Sequence, residues 1–341
     1  MTRQFSAIAC ALFALFASLT PAVPAFAASA SRLVDDRTTT SDAFQKLLAE
    51  EDFAAIEKLA DRLRTQKKRA IDGLWEISLL YPAAHINSND AVDADFEAEL
   101  ALMQKWKAAF PASITRPVAE ATILTTYAWK ARRDGLASTV NDHGRTLFNE
   151  RIARAKQILD EAARQPTRCI HWYAAMQTIA IAQNWPRAAY DDLFNQAIQL
   201  EHSYETTYFR KAHYLLAHGY GAPGEAAQFA DEATRLHPGG MEIYARIVWS
   251  QIHAYSGDFF ATSGYSWEKT KAGFEALLAA TPQSAQNLQA YAYFACRVKD
   301  RDLARDLFKK IDGQEAIVSI WGNHGYFEQC RRWALWQKKQ P

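Results

Sequence analysis

Charge of one sign is missing from this chain. It carries 39 Lys and Arg against 38 Asp and Glu. Without a basic surplus a nucleic-acid role is not expected, since such proteins present a basic face. Long apolar runs are missing after residue 27, so the remaining chain has no stretch of about 20 apolar residues to span a bilayer. Cysteine is scarce, with Cys10, Cys169, Cys296 and Cys330 only. Three of these follow residue 27, an odd number that excludes a fully paired disulfide framework. No two alternating apolar runs are joined by a hairpin turn, which argues against a β-sheet. The nine histidines never form H-E-x-x-H or another close ligand spacing, so no metal is expected. No G-x-S-x-G nucleophile motif occurs, and no catalytic residue can be singled out.

What is present begins with an export signal. Arg3 gives a charged start, Phe5 to Leu19 is almost wholly apolar, and Ala25-Phe26-Ala27 is a small-x-small cleavage site. Residues 1–27 therefore read as a signal peptide. Ala7-Ile8-Ala9-Cys10 lacks the Leu of a lipidation signal, so ordinary cleavage is expected. The expected location is the periplasm or the exterior. Cleavage removes one basic residue and no acid, leaving 38 of each sign in 314 residues. Residues 28–40 read as a flexible N-terminal segment.

The rest reads as helix. Phe44, Leu47 and Leu48 open one helix, and Phe53, Ile56, Leu59 and Leu63 mark the apolar face of a second. Trp75, Leu79 and Leu80 are placed on a third, which Pro82 ends. Asn87 to Asp90 form a polar loop. Helices are expected from about Asp93 to Phe110 and from Pro117 to Arg133, where Pro117 suits a first turn. Arg62, Arg64, Lys67, Lys68 and Arg69 read as a solvated helix end rather than a phosphate patch.

A degenerate ladder then appears. Ala155, Leu159 and Ala162 are followed by Tyr190, Phe194 and Ala197, then Ala226, Ala230 and Ala233, then Thr270, Phe274 and Leu277, then Ala304, Phe308 and Ile311. The steps are 35, 36, 44 and 34 residues. A period near 34 is the spacing of tetratricopeptide-type helical hairpins, which stack into a solenoid because one hairpin cannot bury its apolar face alone. The expected class is all-α, a tetratricopeptide-like solenoid. Residues 41–145 form an N-terminal helical region and 146–341 the repeats with a C-terminal capping helix within Ala316 to Trp336. The longer step carries an insertion, Phe259 to Trp267, expected as a surface loop with aromatic residues. Cys296 and Cys330 lie one period apart, and a disulfide between adjacent hairpins is one expectation; small buried hydrophobes are the other.

More specific strings accompany the ladder. They are Asp72-Gly-Leu-Trp75, Tyr127-Ala-Trp-Lys-Ala-Arg-Arg-Asp-Gly135, Leu147-Phe-Asn-Glu-Arg151 and Gly221-Ala-Pro-Gly-Glu225. With them the chain, from about Leu47 to Trp333, resembles a bacterial family known as domain of unknown function 4034. It departs from that pattern at Arg133, where a Gly is expected. The resemblance implies a helical, repeat-like exported protein and confers no catalytic residues.

Two segments are candidates for chemistry. Gly219-Tyr-Gly-Ala-Pro-Gly224 is a literal G-x-G-x-x-G, but a helical stretch precedes it where a dinucleotide site needs a strand, so it reads as an interhelical turn and no cofactor is expected. The second candidate gathers Trp129, Arg132, Arg133, Asp134, Asn141, Asp142, His143 and Arg145 around one loop. Arginine offers a fork for carboxylates and tryptophan a stacking face, so this set suits an anionic or peptide ligand. The competing reading is a capped helix end. Taken together, an exported protein- or peptide-binding scaffold of the cell envelope is expected. An envelope glycan-binding protein or envelope enzyme is the alternative.

Overall fold

The computed structural model describes residues 40–85, 91–132, 141–216, 219–255 and 258–336. The expected export signal 1–27, most of 28–40, the expected polar loop 87–90, and Arg133 and Asp134 of the candidate site lie outside them. Of the described residues 72% are helical and none lies in a strand, so the protein is all-α.

Helices α1 (residues 40–49) and α2 (Phe53–Thr65) lead into a non-helical segment, residues 66–76. Short α3 (Ile77–Leu80) and a 3-10 turn, Pro82–Ala84, precede α4 (Asp93–Ala109), α5 (Arg116–Arg132) and α6 (Asp142–Ala162). Next come α7 (Ile170–Ala182), α8 (Arg187–Leu200), α9 (Glu205–Tyr214), α10 (Glu225–Leu236) and α11 (Met241–Ser250). The chain closes with α12 (Phe259–Ser263), α13 (Trp267–Ala280), α14 (Ala285–Arg297), α15 (Arg301–Lys310), α16 (Val318–Trp321) and α17 (His324–Leu335). Short polar residues start many of them by accepting a backbone N–H with their side chains. Asp52 accepts from Ala55, Asn141 from Gly144, Ser284 from Asn287 and Asp300 from Leu303.

The ladder residues fall on α6, α8, α10, α13 and α15, with Ile311 at the cap that ends α15, and all are buried except half-buried Ala162. These helices pack on intervening ones. Helix α7 contacts α5, α6, α8 and α9; α9 contacts α7, α8, α10 and α11; and α11 contacts α9, α10 and α13. So α5, α7, α9 and α11 stand side by side, with α14 reached through α13. Within this packing α7 buries residues on all sides, from Ile170 and His171 to Ile179 and Ala180.

Several expectations need correction. A boundary at 145/146 falls inside α6, which packs along α5. Trp75 lies ahead of α3, in the segment 66–76. The insertion Phe259 to Trp267 is not a surface loop. Phe259–Ser263 form α12 and Trp267 opens α13, and Phe259 and Tyr265 are buried and stacked with ring centres 5.6 Å apart. Burying those rings contributes far more than a solvated loop would. The structure joins Cys296 of α14 to Cys330 of α17, with Cα atoms 6.2 Å apart. Cys169 is free and buried, its Sγ 2.8 Å from the Tyr81 hydroxyl.

Candidate functional site

The segment 66–76 is not held mainly by its neighbours in sequence. Its tip is a tight turn in which the Ala70 N–H donates to the Leu74 carbonyl at 2.9 Å, and Gly73 takes a left-handed φ of +85°. The tip presents the Asp72 carbonyl to the second half of the chain. Arg246 of α11 donates to it at 2.6 Å and Asn287 of α14 at 3.0 Å. In the other direction, Trp75 Nε1 and Arg69 Nη2 donate to the Ser203 carbonyl ahead of α9, at 3.0 and 3.2 Å. Arg69 pairs with Glu205 and Lys67 with Glu201. The turn therefore lies against α9, α11 and α14, fastened by main-chain carbonyls and flanking ion pairs. The basic stretch is thus not merely a solvated helix end, because Arg69 and Lys67 reach carboxylates over 130 residues away.

A cavity of about 550 Å³ runs beside this turn, lined by Arg69, Glu205, His237 and Glu242 among others. Burial raises the pKa of Glu205, against the pull of Arg69 and Arg246. Burial likewise raises Glu242 and pushes His237 down to about 4. His237 accepts the Gly239 N–H on Nδ1 at 3.0 Å, which leaves Nε2–H facing the Ser203 carbonyl at 3.3 Å. Of these groups, Glu205 helps to seat the turn through its pair with Arg69.

Of the residues singled out in the sequence, Trp129, Arg132 and Arg145 come together. They line a cleft of about 470 Å³ with Phe148, Asn149, Asn184, Gly219 and Tyr220. Trp129 is 38% exposed and meets Phe148 edge to face, ring centres 5.0 Å apart. The Arg132 guanidinium lies 5.0 Å from the Trp129 ring centre and 5.4 Å from that of Phe148, a cation held by aromatic faces. The Tyr220 hydroxyl donates to the Ile181 carbonyl at 2.9 Å. Asp142 and His143 are exposed on the first turn of α6 and do not line the cleft. The loop reading fails for them, since Asn141 caps α6 and Arg145 pairs with Asp142 at 3.5 Å. The cleft can offer two cations, three aromatic rings and two amides.

The glycine motif 219–224 enters this cleft only through Gly219 and Tyr220. A Cβ on Gly221 would sit 1.9 Å from the Leu215 carbonyl oxygen, so close chain packing after α9 demands the glycine. Ser203, Arg246 and Asn287 were not singled out by sequence reasoning. Arg246 and Asn287 donate to a carbonyl 174 and 215 residues away, and the Ser203 carbonyl accepts from Trp75 across 128 residues; nothing local announces these contacts. Among the described residues no group of three or more His, Cys, Asp and Glu is placed to hold a metal, and no helix is long and apolar enough to cross a membrane. Compared with family models, curated proteins and solved structures, the chain matches none.

Proposed function

We propose that this protein is a polypeptide-binding scaffold of the cell envelope, built as a tetratricopeptide-like array. The observation that carries the reading is the seated turn. The row of α9, α11 and α14 already holds a non-helical stretch of polypeptide, gripping the Asp72 carbonyl through Arg246 and Asn287. Main-chain recognition of this kind is indifferent to side-chain sequence, so the same row suits other peptide segments. The pairing of alternate helices α5, α7, α9 and α11, with ladder helices behind them, supports a hairpin stack presenting one long face. The expected signal at 1–27 and the Cys296–Cys330 bridge both suit an oxidising, exported setting. The resemblance to the domain of unknown function 4034 family points the same way.

The test is site-specific photo-crosslinking in cells. A benzophenone side chain is placed at Trp129 or Trp249 on the face, and at Lys309 on α15 as control. The reading expects one reproducible protein adduct from the first two positions and none from the third. No adduct, or equal adducts from all three, removes it.

A further inference from the structure

A third cavity, of about 300 Å³, opens between α3, α5, α7 and α9. Arg210 of α9 lines it. Its guanidinium is reached by solvent yet surrounded by protein, and desolvation lowers its pKa. The groups that favour its charge are the phenols of Tyr190 and Tyr204, and no carboxylate is among them. Arg246 and Arg69, by contrast, hold a carbonyl and a carboxylate.

His171 of α7 lines the same cavity and is 6% exposed. Tyr81 stacks on one face of the imidazole, 4.5 Å away between centres. The Tyr204 hydroxyl lies 2.6 Å from Nδ1. Burial and the charge of Arg210 push His171 down to about 3, and burial raises the phenol of Tyr204. The imidazole is therefore neutral and the phenol keeps its proton, and we assign the tautomer in which the hydroxyl donates to Nδ1. The remaining proton sits on Nε2, for which no acceptor exists among the described residues. Arg210 and His171 thus give the cavity a donor wall.

Other groups of the lining accept. Thr122, Thr125 and Thr126 of α5 donate their hydroxyl protons to carbonyls four residues back, at 2.8, 2.7 and 3.1 Å, and Thr178 of α7 does the same at 3.1 Å. Their oxygens keep lone pairs for an incoming N–H. Trp129 stands at the edge, shared with the 470 Å³ cleft.

We propose that this cavity binds the C-terminal carboxylate of a peptide chain. The carboxylate sits on Arg210 and the His171 Nε2–H, the last peptide N–H faces the threonine oxygens, and the last side chain lies against Trp129. The volume matches the lower end of small-ligand sites, room for an end residue and not for a folded partner. This assignment rests on the reading of the face as a peptide-binding surface.

The test uses the full chain and fluorescein-labelled tetrapeptide pools, degenerate at three positions and ending in Ala, Leu or Phe, as free acids and as C-terminal amides. Polarisation is expected to show at least one free-acid pool binding ~10-fold or more tighter than its amide, as one charge-assisted pair supplies. Arg210→Gln is expected to erase that preference while leaving the unfolding midpoint in place, because the side chain is solvent-reached. Acid and amide pools that bind equally overturn the carboxylate site and leave the peptide reading standing. No binding by any pool also overturns it, and the crosslinking from Trp129 then decides the broader reading separately. Free phenylalanine that competes as well as the tetrapeptide shows a site for an amino acid, which overturns the chain-end assignment.

Discussion

Arg246 donates to the main-chain carbonyl of Asp72 at 2.6 Å across 174 residues of sequence. Asn287 donates to the same oxygen at 3.0 Å. A carbonyl has two lone pairs, and one donor suffices to avoid an orphaned acceptor. Removing either donor leaves the other in place, whereas removing both takes two donors from a buried oxygen, at about 1–3 kcal/mol. Arg246→Met and Asn287→Ala are therefore expected to be more than additive, with a coupling of about 0.5–3 kcal/mol. Urea unfolding of the four proteins measures it. Additivity would show that the Asp72 carbonyl is not seated between these two side chains.

The same contact makes a prediction for Gly73. Its φ of +85° suits glycine, and a Cβ there would lie 2.7 Å from the Arg246 Nη2 and 3.2 Å from Thr281 Cγ2. The guanidinium is the end of a flexible chain, but moving it gives up the Asp72 carbonyl. Gly313 offers the comparison, with φ +77° and nothing within 4 Å of an added Cβ. Gly313→Ala is expected to lose about 1 kcal/mol from backbone strain alone. Gly73→Ala adds the loss of a charged hydrogen bond and is expected to lose about 2–3 kcal/mol, with faster proteolysis between residues 66 and 76. Equal losses would separate the turn from Arg246.

The Cys296–Cys330 bridge ties α14 to α17 across 34 residues. Closing a loop of that length is worth about 3–4 kcal/mol in the chain-entropy account. Reductant is expected to lower the unfolding midpoint of the wild-type chain and to leave Cys330→Ser unmoved at the same lower value. Hydrogen exchange should loosen first in α17, whose buried anchors are Phe327, Cys330 and Ala334. Labelling of both cysteines by iodoacetamide without reductant would contradict the bridge.

Legibility in the sequence followed how helices bury themselves. Tyr190, Phe194 and Ala197 are buried on one side of α8 while Arg187, Asp192 and Gln196 face outward, so an apolar stripe at helical spacing was readable. Helices α5, α7 and α14 are covered from several sides, and apolar or small residues appear all round them. No stripe stands out on α5 or α7, whereas Leu288, Tyr291, Ala292 and Ala295 of α14 keep helical spacing. The insertion at Phe259 misled because Gly, Ser and Thr suggested solvent, while four rings around Phe259, Tyr265 and Phe294 drew it inward. In the candidate site, Trp129, Arg132 and Arg145 were found because α5 and α6 are consecutive. His171 and Arg210 were not, since they meet only when α7 and α9 pack.

Acid sensitivity follows from the buried histidines. In the unfolded chain an imidazole titrates near its ordinary 6.5. In the folded chain burial takes His237 to about 4 and His171 to about 3. Between those values and 6.5 the unfolded chain binds protons that the folded chain refuses. Stability is therefore fullest above pH 6.5 and falls as pH drops toward 4. For His237 alone the loss amounts to about 3 kcal/mol across that window. Glu205 works in the opposite sense. Its raised pKa lets the folded chain take up that proton first, which offsets part of the loss as pH falls toward the ordinary carboxylate range. Urea unfolding at about pH 7.5 and about pH 5 is expected to show a drop of several kcal/mol for the wild type and a smaller one for His237→Asn, whose amide oxygen can still accept the Gly239 N–H. Equal drops would mean that His237 titrates normally in the folded chain, and that the turn carrying Arg69 does not shut it away from water.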